Sequence, residues 1–318
     1  MSSIISLDTI KSCLSKCADS DLIQIIEDGF VSYSKGDVVV PPVGHLPFIN
    51  PPGDLHIEYG FIKGDDYYVV KLASGFYNNP QIGLSASNGL MLVFNQKTGE
   101  LLSILLDEGH LTDIRTALAG AVVAKHLAPA QINRIGIVGT GIQARLQLRF
   151  LKSVIDCRDV IVWGRGDEKL NDYKKDPMLA GFDISTTQNI TELTNHCNYI
   201  VTTTPSKKPL LLAKEVKPGT HITAVGADTP GKQELEASLF GKASCIIADS
   251  ISQCKDHGDI FHPVHQGIIK EDQIIELGTL ISTGQKRKND SDISIADLTG
   301  VAIQDIQIAK FVYQKTKA

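Results

Sequence analysis

The sequence predicts an α/β protein of two domains: a Rossmann-type, doubly wound parallel sheet, and an α+β domain with a mainly antiparallel sheet. Three observations predict it. Short β-rich runs cluster between His56 and Leu106, and beyond Pro129 apolar runs alternate with helix-length segments. One of those runs leads into Gly139-Thr140-Gly141-Ile142-Gln143-Ala144 and then a helical stretch.

The elements follow in order. Residues 7–35 read as helical, with Leu14, Leu22, Ile25, Ile26 and Phe30 at helical spacing. Pro41, Pro42, Pro47, Pro51 and Pro52 then impose loop or strand edge. Four strands are expected at 56–62, 67–73, 89–94 and 101–106, separated by turn-forming clusters around Gly64, Asn79 and Gly99. The Ala-rich stretch 111–128 reads as a helix ended by Pro129. Parallel strands are expected at 134–138, 160–163, 182–186, 199–203, 221–225 and 245–248, and a last helix at 302–313. The domains are then 1–128 with 300–318, the mixed α+β domain, and 129–299, the doubly wound domain.

Composition narrows the function. A chain of 318 residues with 42% hydrophobic and 21% charged residues is neither disordered nor fibrous. A net charge of −5 argues against a nucleic-acid partner. Cys13, Cys17, Cys157, Cys197, Cys245 and Cys254 form no Cys-x-x-Cys pair and no zinc-spaced cluster with histidine. They read as reduced thiols of a cytoplasmic protein, and no metal is expected. There is no basic leader before an apolar stretch and no run of 18 apolar residues.

The glycine loop carries the first chemistry. Gly139 permits a tight turn, Gly141 lets backbone approach a pyrophosphate, and Ala144 is small enough for close helix–strand packing. A helix N-terminus there offers free N–H groups to phosphate. After the second strand an NAD enzyme carries an acid for the ribose hydroxyls; this chain has Arg165, with Asp167 two residues on. An arginine suits a 2′-phosphate, so NADPH is the expected cofactor and NADH the alternative. Arg165 also fits a solvated surface charge.

Four segments resemble the ornithine cyclodeaminase/μ-crystallin family: VVKLASGFYNNP (69–80), LTDIRTALAGAVVAKHLA (111–128), the GTGIQA loop, and VGADTPGKQEL (225–235). The closing stretch 298–313 is similar too, so the likeness runs the length of the chain. The resemblance implies a homodimer paired through the first domain's sheet. It implies that Lys71 is the active-site lysine, that Arg115 touches substrate carboxylate and cofactor, and that Asp228 is the catalytic acid. It also implies that Ile142, Gln143, Thr204, Val225, Gly226, Ala227, Lys232 and Ser87 border the nucleotide. The residue types agree: a planar guanidinium and an ammonium suit a carboxylate. Asp228 follows a strand end, where open α/β sheets bind ligands, and partial desolvation there would favour proton donation. Read alone, Lys71 also fits a sheet-face lysine, Asp228 a turn residue and Arg115 a helix-surface ion pair.

Two departures stand out. Where the family often has an arginine after a proline, this chain has Gly44 and His45. His56-Ile57-Glu58-Tyr59 stands where relatives usually carry Met-Pro. His45 and His56 are therefore candidates to line the pocket, and equally fit as loop and strand histidines.

The expected activity is NAD(P)H-dependent reduction of a cyclic imino acid, Δ1-pyrroline-2-carboxylate to L-proline or Δ1-piperideine-2-carboxylate to L-pipecolate. One alternative is ornithine cyclodeamination with bound NAD, releasing ammonia. The other is a non-catalytic ligand carrier. Arg165 and the absent loop arginine favour the reductase over the deaminase. Lys71, Arg115 and Asp228 together argue against a carrier.

Overall fold

The computed structural model describes residues 2–76, 78–285 and 287–317. Its chain divides into two units, 1–116 with 301–318, and 117–300. The division falls inside a helix, rather than after residue 128 where Pro129 suggested it. No helix among the described residues is long and apolar enough to cross a membrane.

The first unit opens with β1 (Ser3–Ser6), α1 (Leu7–Ser15) and α2 (Asp19–Ser34). The single helix expected over 7–35 is thus two. Lys16 closes α1 through its N–H, and α2 restarts after an extended Ala18 with Asp19 and Asp21 in its first turn, where acids suit the helix dipole. Then come β2 (Val38–Val39), β3 (Gly44–Phe48), β4 (Gly53–Ile62), β5 (Tyr67–Phe76), β6 (Ser87–Asn95), β7 (Leu101–Leu106) and α3 (His110–Leu127), which leads into the second unit.

The sheet order is β1-β7-β6-β5-β4-β2, with β3 also on β4. β4 to β7 are the four expected antiparallel strands. β1 is unanticipated and pairs with β7 in parallel. The face that matters is set by register: Glu58 lies opposite Lys71, Lys71 opposite Met91, and Met91 opposite Leu105. Directly opposed residues share a face. Val69, Lys71, Met91, Val93 and Leu105 are all buried on it. The last helix of the chain covers this face and packs on α2, β4, β5 and β6. At Gly60 a Cβ would fall 2.4 Å from the Val39 carbonyl oxygen, so glycine is required where β2 crosses β4.

The second unit continues with β8 (Ile135–Val138), α4 (Ile142–Leu151), β9 (Asp159–Trp163), α5 (Asp167–Lys174), β10 (Asp183–Thr187), α6 (Ile190–His196), β11 (Tyr199–Thr202), β12 (Lys207–Leu211), β13 (His221–Ala224) and β14 (Gln233–Leu235). It ends with α7 (Ala237–Phe240), β15 (Cys245–Ala248), α8 (Ile251–Asp256), α9 (Phe261–His265), β16 (Ile274–Glu276), α10 (Leu277–Thr283) and β17 (Ser294–Asp297). The closing α11 (Ala302–Lys317) belongs to the first unit.

Eight strands form a parallel sheet in the order β10-β9-β8-β11-β13-β17-β15-β16. This is the doubly wound α/β fold the sequence predicts. Strands β8, β11, β13, β15 and β17 are buried at every residue, which is why β8, β11 and β15 read as largely apolar runs. The order reverses between β8 and β11, and ligands bind beyond such a switch point.

Candidate functional site

In the second unit the glycine loop joins β8 to α4. Gly139 has φ 125°, and a Cβ on it would meet the Thr203 hydroxyl at 2.6 Å. Gly141 is the N-cap of α4 and offers no side chain to the helix; nothing lies within 4 Å of where its Cβ would be. The first-turn N–H groups of α4 therefore face an uncovered backbone cradle, the arrangement a pyrophosphate requires. Ile142 and Gln143 begin the helix, and Ala144 is fully buried, its carbonyl accepting from the Tyr173 hydroxyl at 2.8 Å. Arg165 is exposed in the turn after β9. Asp167, the alternative ribose partner, accepts from the Gln188 side chain at 2.6 Å at the start of α5. The residues fit a dinucleotide.

At the neighbouring strand ends, beside Val225 and Ala227, Thr204 and Gly226 are pinned by a residue that sequence reasoning missed. Glu234 accepts from the Thr204 N–H (2.6 Å) and hydroxyl (2.7 Å), the Thr202 hydroxyl (2.7 Å) and the Gly226 N–H (2.9 Å). A Cβ on Gly226 would fall 2.2 Å from the Thr204 carbonyl oxygen, so only glycine fits. Asp259 in turn accepts from the N–H groups of Glu234 and Leu235, each at 2.8 Å. Both acids are fully buried, and among the described residues no cation is ion-paired to either. Burial, reinforced by Asp259, pushes Glu234 up to about 8, although its four donors oppose the rise. Burial pushes Asp259 up to about 7. Glu234 belongs to the VGADTPGKQEL segment, so its motif was visible but its role was not.

Asp228 lies in the same segment and differs from expectation. Its side chain is 50% exposed and forms an i,i+4 ion pair with Lys232. The desolvation expected there is absent, because the turn carries Asp228 away from the strand end into solvent.

In the first unit Lys71 and Arg115 come together with two acids. Lys71 is 2% exposed; its Nζ lies 2.9 Å from Glu58 Oε1 and 3.1 Å from Asp305 Oδ2. Arg115 Nε donates to Asp305 Oδ1 at 3.0 Å, and its Nη1 donates to Gln304 Oε1 at 2.6 Å. Arg115 Nη2 stands 3.9 Å from Glu58 Oε2. Strand register delivers Glu58 and Lys71, and the first turn of α11 delivers Gln304 and Asp305. The cations expected to wait for a substrate carboxylate are thus compensated within the chain. Burial would raise Glu58, but Lys71 and Arg115 outweigh it and hold its carboxyl down to about 2. Burial and the Glu58 charge lift Asp305 to about 6, against the pull of Arg115 and Lys71. Such a site holds a cation and an anion side by side and can carry a proton on Asp305. Glu58 was noted in sequence only as a departure, and Asp305, two hundred residues away, gave no local signal.

His45 and His56 are opposite each other on β3 and β4, on the same sheet face as Glu58 and Lys71. Ser87, expected beside the nucleotide, is the exposed first residue of β6 in the first unit, whereas the glycine loop is in the second.

The sequence profile of the ornithine cyclodeaminase/mu-crystallin family matches residues 6–318. An uncharacterized cyclodeaminase from Sinorhizobium fredii is 36% identical over 305 residues, covering 94% of this chain and 92% of the relative. An archaeal alanine dehydrogenase, solved as a dimer with bound NAD, superposes with a TM-score of 0.90 at 32% identity, covering 99% of this chain and 96% of the other. The Thermococcus litoralis Δ1-pyrroline-2-carboxylate reductase, solved with NADH and L-proline, superposes with a TM-score of 0.90 at 25% identity, covering 99% and 97%.

Proposed function

This chain belongs to the ornithine cyclodeaminase/mu-crystallin family, and from that premise we propose that it is a nicotinamide-dependent oxidoreductase reducing the C=N bond of Δ1-pyrroline-2-carboxylate to L-proline with NADPH. The observation that carries the reading is the charged quartet of buried Lys71, Arg115 and Asp305 with partly buried Glu58. A cyclic imino acid has a carboxylate bonded directly to its iminium carbon. Alternating fixed cations and carboxylates match that pair of opposite charges, and a neutral ligand would gain nothing from them. The larger homologue Δ1-piperideine-2-carboxylate, giving L-pipecolate, differs by one methylene, worth only about 1–3 kcal/mol of discrimination.

Gly139, Gly141, Ile142, Gln143 and Ala144 would hold the nucleotide, with Thr204, Val225, Gly226, Ala227 and Lys232 bordering it. A bound reduced nicotinamide supplies the hydride. Lys71 and Arg115 hold the substrate carboxylate and so fix which face of the imine carbon is presented. Asp228 keeps the imine nitrogen protonated and therefore electrophilic. Arg165 holds the 2′-phosphate. Arg165→Asp should weaken NADPH binding by about 10–100-fold, the worth of one charge-assisted contact, and favour NADH. Equal dissociation constants of wild type and variant for NADPH would remove Arg165 from that role. The protein acts as a homodimer, which the dimeric archaeal relative supports, and it pairs through the first unit's sheet.

That relative also favours a second reading, reductive amination of a linear 2-oxo acid. One experiment separates the possibilities. Purified protein is offered NADPH with Δ1-pyrroline-2-carboxylate, NADPH with pyruvate and ammonium, and NAD with L-ornithine. Oxidation of NADPH chiefly on the cyclic imine is expected. Chief activity on pyruvate with ammonium would give the second reading, ammonia release from ornithine would give a cyclodeaminase, and silence despite NADPH binding would give a carrier.

A further inference from the structure

We propose that His45, Asp54 and His56 form a binding site for one divalent first-row transition ion, with an open position for an oxygen ligand. β3 and β4 run antiparallel, with His45 opposite His56 and Pro47 opposite Asp54. Opposed residues, and residues two apart on a strand, share a face, so the three side chains stand together. The imidazole rings are 4.9 Å apart between centroids, and Asp54 Oδ1 is 3.6 Å from His56 Nε2. One ligand atom from each residue lies within 4.8 Å of the others, the only such histidine–cysteine–carboxylate group among the described residues.

The spacing suits coordination. Around a tetrahedral zinc ion with bonds of about 2.0–2.2 Å, neighbouring ligand atoms are about 3.3–3.6 Å apart. The Asp54–His56 separation of 3.6 Å is close to that edge, and it is too long for a hydrogen bond. His45 is exposed, so rotation of its side chain can close the third side. Two imidazoles and one carboxylate are the donor set of open catalytic sites for zinc and iron(II), in which a fourth position takes water or a ligand oxygen.

The surroundings favour that open position. Ala73 stands opposite His56 and Gly75 opposite Asp54, with Gly89 opposite Ala73 on the next strand. No long side chain projects from these positions. Two residues along β4 from His56 is Glu58, paired across the sheet with Lys71. An ion at the histidines therefore lies along the same sheet face as the charged quartet. The site was invisible in sequence because the spacing 45, 54, 56 matches no linear metal motif; hairpin register assembles it.

The site depends only on the first unit's sheet and not on the reductase reading, so its test uses no substrate. The full-length, chelator-treated protein is titrated with Co²⁺, followed by visible absorption, and with Zn²⁺, followed by calorimetry. One Co²⁺ per chain is expected, with the intense bands of a four- or five-coordinate site, and Zn²⁺ should displace it. His56→Ala and Asp54→Asn should each weaken binding at least about tenfold, while His262→Ala, in the second unit, leaves it unchanged. Matching metal-free thermal unfolding confirms that the variants fold, and His56→Asn replaces His56→Ala if the latter does not. Absence of Co²⁺ uptake by wild type, or uptake that survives both ligand variants, overturns the proposal.

Discussion

Glu58 in the first unit and Glu234 in the second are the same residue type, each enclosed by protein, yet one is held down to about 2 and the other pushed up to about 8. Burial acts on both in the same direction. What differs is the company. Glu58 meets an ammonium at 2.9 Å and a guanidinium at 3.9 Å, so its charged form is the stable one. Glu234 meets hydroxyls, backbone N–H groups and another buried acid. The first cluster is built to keep charge. The second ties β11, the Val225–Ala227 turn and β14 together with carboxyls that do not need charge to do it. Buried acid alone therefore says nothing of protonation state; the nearest formal charge decides it.

The largest effect should come from removing the cation at the centre of the charged cluster. Lys71→Met keeps the bulk but leaves Glu58 and Asp305 facing each other with Arg115 alone. Breaking a buried pair on one side costs about 3–5 kcal/mol. The loss should be greatest near neutral pH and shrink below pH 6, where Asp305 takes up a proton. Urea unfolding at several pH values measures it. A loss under about 1 kcal/mol, flat with pH, would mean that the cations and acids do not sustain one another.

The next effect is kinetic and tests whether the solvent-exposed acid or the enclosed ones supply the proton. Asp228→Asn keeps shape and should lower turnover by about 10²–10⁴-fold, the usual worth of general acid catalysis, with little change in NADPH affinity. Near-normal turnover would transfer the role to the Glu58–Asp305 pair, which can itself hold a proton. The half-exposed setting of Asp228 makes this outcome informative either way.

These two clusters also mark how far the sequence reaches. The four antiparallel strands, six of the eight parallel ones, the Gly139–Ala144 turn and the closing helix are legible because each depends on local periodicity and on glycine and proline placement. β17 is not, since only Ile295 and Ala296 of its four residues are apolar, although it lies in the middle of the sheet. β1 is four residues long and gains its place by pairing with a strand a hundred positions away. Lys71 and Arg115 stood out by motif, but their partners could not, because Asp305 arrives from the far end of the chain and Glu58 by register. Asp259 likewise reaches Glu234 from 25 positions away. Long-range partners decide the charge state, and a linear reading sees only the residues to be charged.

The smallest effect is a pair of opposite pH slopes. For Glu58 the folded value lies below the ordinary 4.5, so its stabilisation is present above 4.5 and is lost as pH falls from there toward 2. For Asp259 the folded value lies above the ordinary 3.8, so ionisation is resisted in the folded state and stability declines as pH rises from 3.8 toward 7. Asp259→Asn should preserve the two bonds accepted by Oδ1, since an amide oxygen can take both N–H groups. It mimics the protonated acid and should be close to neutral below the ordinary value of 3.8. It should then gain on wild type as pH rises toward 7, because the folded wild type resists ionisation over that range, and keep the gain at pH 8. Glu58→Gln should do the reverse. It leaves Lys71 with Asp305 alone at pH 7, and its deficit should shrink as pH falls from 4.5 toward 2, where wild type loses the same charge. Two-state denaturation curves of both variants and wild type between pH 3 and 8.5 give the slopes directly. Parallel slopes for the two variants would show that company, as read from these contacts, does not set the charge of either acid. Slopes of opposite sign would assign charge-keeping to the first unit and neutral hydrogen bonding to the second.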